Sequence, residues 1–154
     1  MKKYDVQPLT NIHATCVKIG RYGVLFLGDS GSGKSDMALR LISGKGAKLV
    51  ADDRVDISIL NEKLIASAPK QISGLLEVRG IGIVQMPCVH SAHVVMAVNL
   101  VSDSSKIERM PANCEICFGD IKIPSVDLCA FEASAADKVV IKLKAILDKT
   151  KKQS

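Results

Sequence analysis

Eight consecutive residues, Gly28-Asp29-Ser30-Gly31-Ser32-Gly33-Lys34-Ser35, satisfy the pattern G-x4-G-K-[ST] in full. Glycines at these positions let successive backbone N–H groups converge on one anionic point. The helix expected to follow adds its own unpaired N–H groups and the positive end of its dipole. Lys34 has the reach and charge to meet terminal phosphates, and the Ser35 hydroxyl can ligate a bridging Mg²⁺. The implied chemistry is the binding of a nucleotide's phosphates.

A second feature is acidic. Asp52-Asp53 follows the short apolar run Leu49-Val50-Ala51. At the carboxyl end of a strand, one carboxylate can sit near the metal while the other takes a proton from an attacking hydroxyl. That division suits a kinase with an alcohol acceptor. No N-K-x-D motif is present to read a guanine, and 154 residues are too few for a large mechanical ATPase.

Other reactive side chains have blander readings beside the functional ones. His13 fits a partly buried strand position. Glu77 and Arg79 alternate beside Gly80 and Gly82, as a surface ion pair or as a ligand-facing loop. Cys114-Glu115-Ile116-Cys117 has metal-like spacing without a second pair, and Cys88, His90 and His93 also fall short of a tetrahedral set. Core or edge thiols are the simpler reading. Five cysteines, an odd number, fit reduced thiols and a cytoplasmic location.

These residues need elements to hold them. Ile12 to Ile19 reads as a strand, and Val24 to Leu27 as a strand buried on both faces that runs directly into the glycine-rich loop. Met37 to Ile42 is helical and ends near Ser43-Gly44. Val55 to Ile59 and Leu64 to Ala66 form a hairpin across Asn61-Glu62, and Cys114 to Phe118 pairs with Ile121 to Ile123. Leu75 to Val84 reads as a loop or bulged element, and His93 to Val101 as another strand. Ser134-Ala135-Ala136-Asp137 opens a last helix whose apolar face is Val139, Val140, Leu143, Ile146 and Leu147. The fold class is α/β: a mixed, β-rich sheet, a P-loop and a closing helix, within one domain spanning residues 1–154.

Composition sets the outer bounds. Hydrophobic residues make up 47% and charged residues 24%, which excludes a disordered or coiled-coil chain. The net charge of +5 gathers partly at Lys142, Lys144, Lys149, Lys151 and Lys152, and aromatics are only 3%. A nucleic-acid partner is therefore not favoured. No signal peptide or membrane helix is expected.

With these motifs in view, the chain resembles the catalytic domain of HPr kinase/phosphorylase, a bacterial P-loop enzyme acting on a serine of the phosphocarrier HPr. His13 lies fifteen residues before Gly28, where the family carries an active-site His, and Leu49 to Asp53 matches its acidic strand end. Leu76-Glu77-Val78-Arg79-Gly80-Ile81-Gly82-Ile83 matches the family's signature segment. The resemblance implies a P-loop kinase domain of the HPr kinase/PEP carboxykinase-like type, using ATP and Mg²⁺. It implies Asp53 as the general base, Glu77 joining Ser35 and Asp52 around Mg²⁺, and Arg79 within the catalytic signature. Arg109, in Ile107-Glu108-Arg109-Met110, takes the place of a later catalytic Arg. A homo-oligomer, hexameric in the family, is implied too.

Two features depart from the pattern. About a dozen residues precede His13, as in a short form lacking the family's N-terminal domain. Ser125 to Ser134, where the family's Arg-containing loop for dephosphorylation should fall, holds no Arg. The expected activity is the kinase direction, while the segment that serves the phosphorylase direction departs from the family pattern. A phosphotransferase acting on a small metabolite and a nucleotide-binding regulatory module without turnover are the alternatives.

Overall fold

Alternation along Val24-Leu25-Phe26-Leu27 decides the architecture. Val24 and Phe26 enter one apolar cluster, Leu25 and Leu27 another on the opposite face, so this strand is buried on both sides. A computed structural model describes residues 3–4 and 10–153. Its elements in chain order begin with β1 (Lys3–Tyr4), β2 (Thr10–His13), β3 (Thr15–Ile19), β4 (Tyr22–Leu27), α1 (Lys34–Lys45) and β5 (Lys48–Ala51). The middle contains β6 (Arg54–Leu60), β7 (Lys63–Ser67), β8 (Leu75–Val78), β9 (Gly82–Gln85) and β10 (Ser91–Leu100). The chain closes with β11 (Cys114–Phe118), β12 (Ile121–Leu128) and α2 (Ala135–Gln153).

Among the described residues, ten strands share one sheet along the path β1-β11-β12-β10-β4-β3-β5, and β10 also pairs with β7, which leads to β6 and β2. β4 runs parallel to β10, and β10 parallel to β12. β3 is antiparallel to both β4 and β5. It follows that β5, β4, β10 and β12 all point their carboxyl ends to one edge. That edge holds Asp52-Asp53, the glycine-rich loop and the segments after Leu100 and Leu128, and it is where α/β sheets place ligands. α1 and α2 cover one face through Met37, Leu41, Val139 and Leu143, while the β2-β6-β7 layer covers the other through Ile12, Ile57 and Leu64.

Several elements match the expected ones and four differ. The expected strand from Ile12 to Ile19 is two, β2 and β3, broken at Ala14. β2 pairs with β6 while β3 pairs with β4 and β5, so the chain changes partners there. Leu75 to Val84 is a regular antiparallel hairpin, β8–β9, with Arg79, Gly80 and Ile81 at its tip. α1 runs past Ser43-Gly44 to Lys45. Gly46 at φ 71° ends it, with the Ala47 N–H donating to the Leu41 carbonyl at 3.1 Å. Ser125 to Leu128 is not loop but the second half of β12, in register with Ala97 to Leu100 of β10. Asn61 and Glu62 sit at φ 51° and 63°, as a tight hairpin turn requires.

Candidate active site

The turn from β4 into α1 is held closed by its own backbone. Gly33 caps α1 at φ 98°, the Met37 N–H donates to its carbonyl at 2.9 Å, and the Ser32 N–H donates to the Asp29 carbonyl at 3.0 Å. Lys34 is only 7% exposed, and its Nζ donates to the carbonyls of Gly28 at 2.8 Å and Asp29 at 3.0 Å. The ammonium thus curls over its own loop. Burial lowers its pKa, and the nearby Asp29, Asp53 and Asp52 carboxylates pull the other way. Ser32 Oγ is buried without a hydrogen-bond partner among the described residues. A buried hydroxyl left unpaired costs about 1–3 kcal/mol, and a phosphate oxygen in the loop would satisfy it. The cradle fits the group that its sequence predicts.

Close packing makes the first glycine obligatory. A Cβ on Gly28, at φ 145°, would lie 2.6 Å from the Leu100 carbonyl oxygen and 2.7 Å from Ser32 Oγ. Gly28→Ala is expected to destabilise the fold by about 1–3 kcal/mol through backbone strain and contact. Thermal denaturation checks this, and an unchanged midpoint would mean the loop does not pack on β10 as described.

Asp52 and Asp53, though adjacent, have opposite surroundings. Asp52 is 6% exposed; its Oδ1 accepts from Ser35 Oγ at 2.7 Å and Thr15 Oγ1 at 2.9 Å, and its Oδ2 from the Glu77 N–H at 3.3 Å. One carboxylate ties β3, α1 and β8 together. Asp53 has a side chain 72% exposed and a left-handed backbone at φ 68°. The Arg54 N–H returns to the Asp52 carbonyl at 2.8 Å across it, a three-residue turn that costs strain in a non-glycine residue. Its carboxylate accepts from His13 Nε2, 2.9 Å from Oδ1, and its carbonyl accepts from the Ala14 N–H at 3.2 Å.

The predicted residues therefore fall into two groups. His13, Lys34, Ser35, Asp52, Asp53 and the backbone of Glu77 are linked by contact or by charge. Arg79, at the β8–β9 tip, and Arg109, on the loop between β10 and β11, are exposed and make no hydrogen bond or ion pair among the described residues. Thr15, fully buried on β3, was missed by the sequence reading. Its one signal was a hydroxyl directly before the apolar pair Cys16 and Val17.

Ser35 Oγ and Asp52 form an all-oxygen donor set, with Glu77 exposed next to them. Such a set suits Mg²⁺ completed by water and donor phosphates. Among the described residues no group of three or more His, Cys, Asp or Glu can hold a metal, so neither the C-x-x-C pair nor Cys88, His90 and His93 forms a zinc site. All five cysteines are free. No helix among the described residues is long and apolar enough to cross a membrane.

A family model described as HPr Serine kinase C-terminal domain matches residues 5–153. The chain belongs to this family. The solved structure of the Hpr(Ser) kinase/phosphatase from Coxiella burnetii is similar at a TM-score of 0.77 and 26% identity, over 94% of this chain and 93% of that one. The expected P-loop kinase fold of this type is the fold found. The HPr kinase/phosphorylase of Clostridium tetani is 44% identical over 102 residues, 66% of this chain and 33% of that protein. That of Levilactobacillus brevis is 35% identical over 129 residues, 77% of this chain and 41% of its own length. The matched segments are thus 33% and 41% of the length of these two curated relatives.

Proposed function

We propose that this chain is one protein-serine kinase domain, transferring the terminal phosphoryl group of ATP to a serine of an HPr-type phosphocarrier. The observation that carries the reading is the opposed placement of two adjacent carboxylates beside a phosphate cradle: Asp52 buried against Ser35, Asp53 exposed and held by His13. A generic nucleotide-binding module has no need of the second.

Loop N–H groups from Gly28 to Ser35 hold the donor's phosphates, with the α1 N-terminus behind them. Lys34 exchanges its loop carbonyls for phosphate oxygens, so its charge is already in place when negative charge develops. Ser35 and Asp52, with Glu77, would hold Mg²⁺, which when bound offsets charge on the phosphate oxygens. The acceptor serine meets Asp53, whose exposed carboxylate takes the hydroxyl proton as the oxygen attacks phosphorus. His13 positions that carboxylate. Arg79 and Arg109 are offered for contact with the transferring phosphoryl group.

The lack of Arg from Ser125 to Ser134 supports the kinase direction over the reverse reaction. Free thiols support a cytoplasmic setting, a role in phosphotransferase-system control follows from the acceptor, and a hexameric homo-oligomer follows from the resemblance. The test is mass spectrometry of the cognate phosphocarrier after incubation with the protein and Mg-ATP. Phosphoserine is expected; phosphohistidine, label on a metabolite instead, or no transfer would overturn the reading.

A further inference from the structure

The chain has three phenylalanines, and two of them, Phe26 and Phe118, are fully buried. The third, Phe131, is 62% exposed at the ligand-bearing edge of the sheet. It follows β12, and its ring carbons Cε1 and Cζ lie 3.6 and 3.9 Å from where a Cβ on Gly33 would be. An exposed apolar ring therefore stands against the residue that caps α1, beside the phosphate cradle.

Its segment is fixed in place. Arg40 of α1 donates through Nη2 to the Ala130 carbonyl and through Nη1 to the Glu132 carbonyl at 3.3 Å, so the backbone on both sides of Phe131 is tied to that helix. Arg40 is itself oriented by Asp36, its Nη2 lying 2.8 Å from Oδ2. The Ala130 Cβ lies 2.6 Å from the same Gly33 position, so this segment packs directly on the start of α1. The ring is thus presented on a fixed backbone.

Polarity across the loop gives the ring a use. The proposed reacting groups, Asp52 and Asp53, stand at the end of β5, on the β3 side of β4. A donor whose terminal phosphate points there must direct its other end to the opposite side, toward the ends of β10 and β12. Phe131 stands on that side. We propose that its ring is the platform on which the base of the nucleotide donor stacks, an inference that rests on the phosphate-cradle reading above. A stacking face with no hydrogen-bonding edge accepts any base, so discrimination between ATP and GTP by this ring should be slight.

The experiment is calorimetric titration of the full chain with ATP and with tripolyphosphate, which has the phosphates but no base. Phe131→Ala should weaken ATP roughly 5- to 150-fold, the range for one stacked base, and leave tripolyphosphate within about twofold. Phe131→Tyr should restore ATP binding. Equal losses for both ligands would mean the ring only supports the loop, and overturn the proposal. So would ATP binding within twofold of wild type, including the case in which phosphorylation of the phosphocarrier alone falls, which would assign the ring to the acceptor. Failure of the wild-type chain to bind either ligand would overturn the cradle reading itself, and the platform with it.

Discussion

Replacing Asp53 by Asn is expected to slow phosphoryl transfer by 10²- to 10⁴-fold, the usual contribution of a positioned general base, while ATP affinity stays within about twofold. The amide matches the carboxylate in shape, and its oxygen can still accept from His13 Nε2, now 2.9 Å away. Asn also tolerates the left-handed backbone at φ 68° better than most residues, so the turn after β5 should persist. Only the capacity to accept a proton is removed. Asp52 keeps its bonds to Ser35 and Thr15, so the group proposed to hold the metal is untouched. Single-turnover transfer from labelled ATP to the phosphocarrier, paired with calorimetric ATP binding, separates the two effects. Transfer within tenfold of wild type would remove Asp53 from the base role.

Why Asp52 and Asp53 divide as they do was beyond the reach of the sequence. Two adjacent carboxylates can exchange roles by a half-turn of backbone. The choice is made by the three-residue turn across Asp53 and by Thr15, which lies 37 positions from Asp52. The strand, loop and helix around Gly28 to Ser35 were legible because their physics is local: they are contiguous, and Gly28, Gly31 and Gly33 each take a positive φ that glycine favours. The break at Ala14 was not legible. Apolar residues continue through it, and it exists because the Ala14 N–H donates to the Asp53 carbonyl, a residue distant in sequence. β12 was hidden for another reason. Pro124, Ser125 and Asp127 look like loop, but β10 lies beside Ser125 to Leu128 and supplies their partners. The β8–β9 hairpin shows the converse. Its Gly80 and Gly82 take φ of 87° and 120°, so glycines that suggested an irregular segment instead make a tight tip between two regular strands.

Lys34→Met should abolish most transfer without weakening the ligand-free fold. Methionine keeps most of the length and loses the ammonium. Removing one preorganised donor from a site of developing charge typically costs 10²- to 10³-fold in rate, or about 2.7–4 kcal/mol. ATP should bind more weakly as well, since Lys34 is the cation nearest the cradle's own carbonyls. Stability should behave differently. The Gly28 and Asp29 carbonyls lose a donor, but the fold no longer has to bury a charge, so the unfolding free energy should stay within about 1 kcal/mol of wild type. Linkage supplies an independent check. Burial lowers the Lys34 pKa below 10.5, so the unfolded chain holds that proton more tightly than the folded one. The wild-type fold should therefore gain stability as pH rises from the lowered folded value toward 10.5, and the Met variant should lack that gain. Denaturation curves across this range, with and without ATP, measure both. At one hundred times the dissociation constant, ATP should stabilise the wild-type chain by about 2.7 kcal/mol, and the Met variant far less at the same concentration. A Met variant stabilised by ATP as strongly as wild type would show that the ammonium stays on its own loop and never reaches the phosphates.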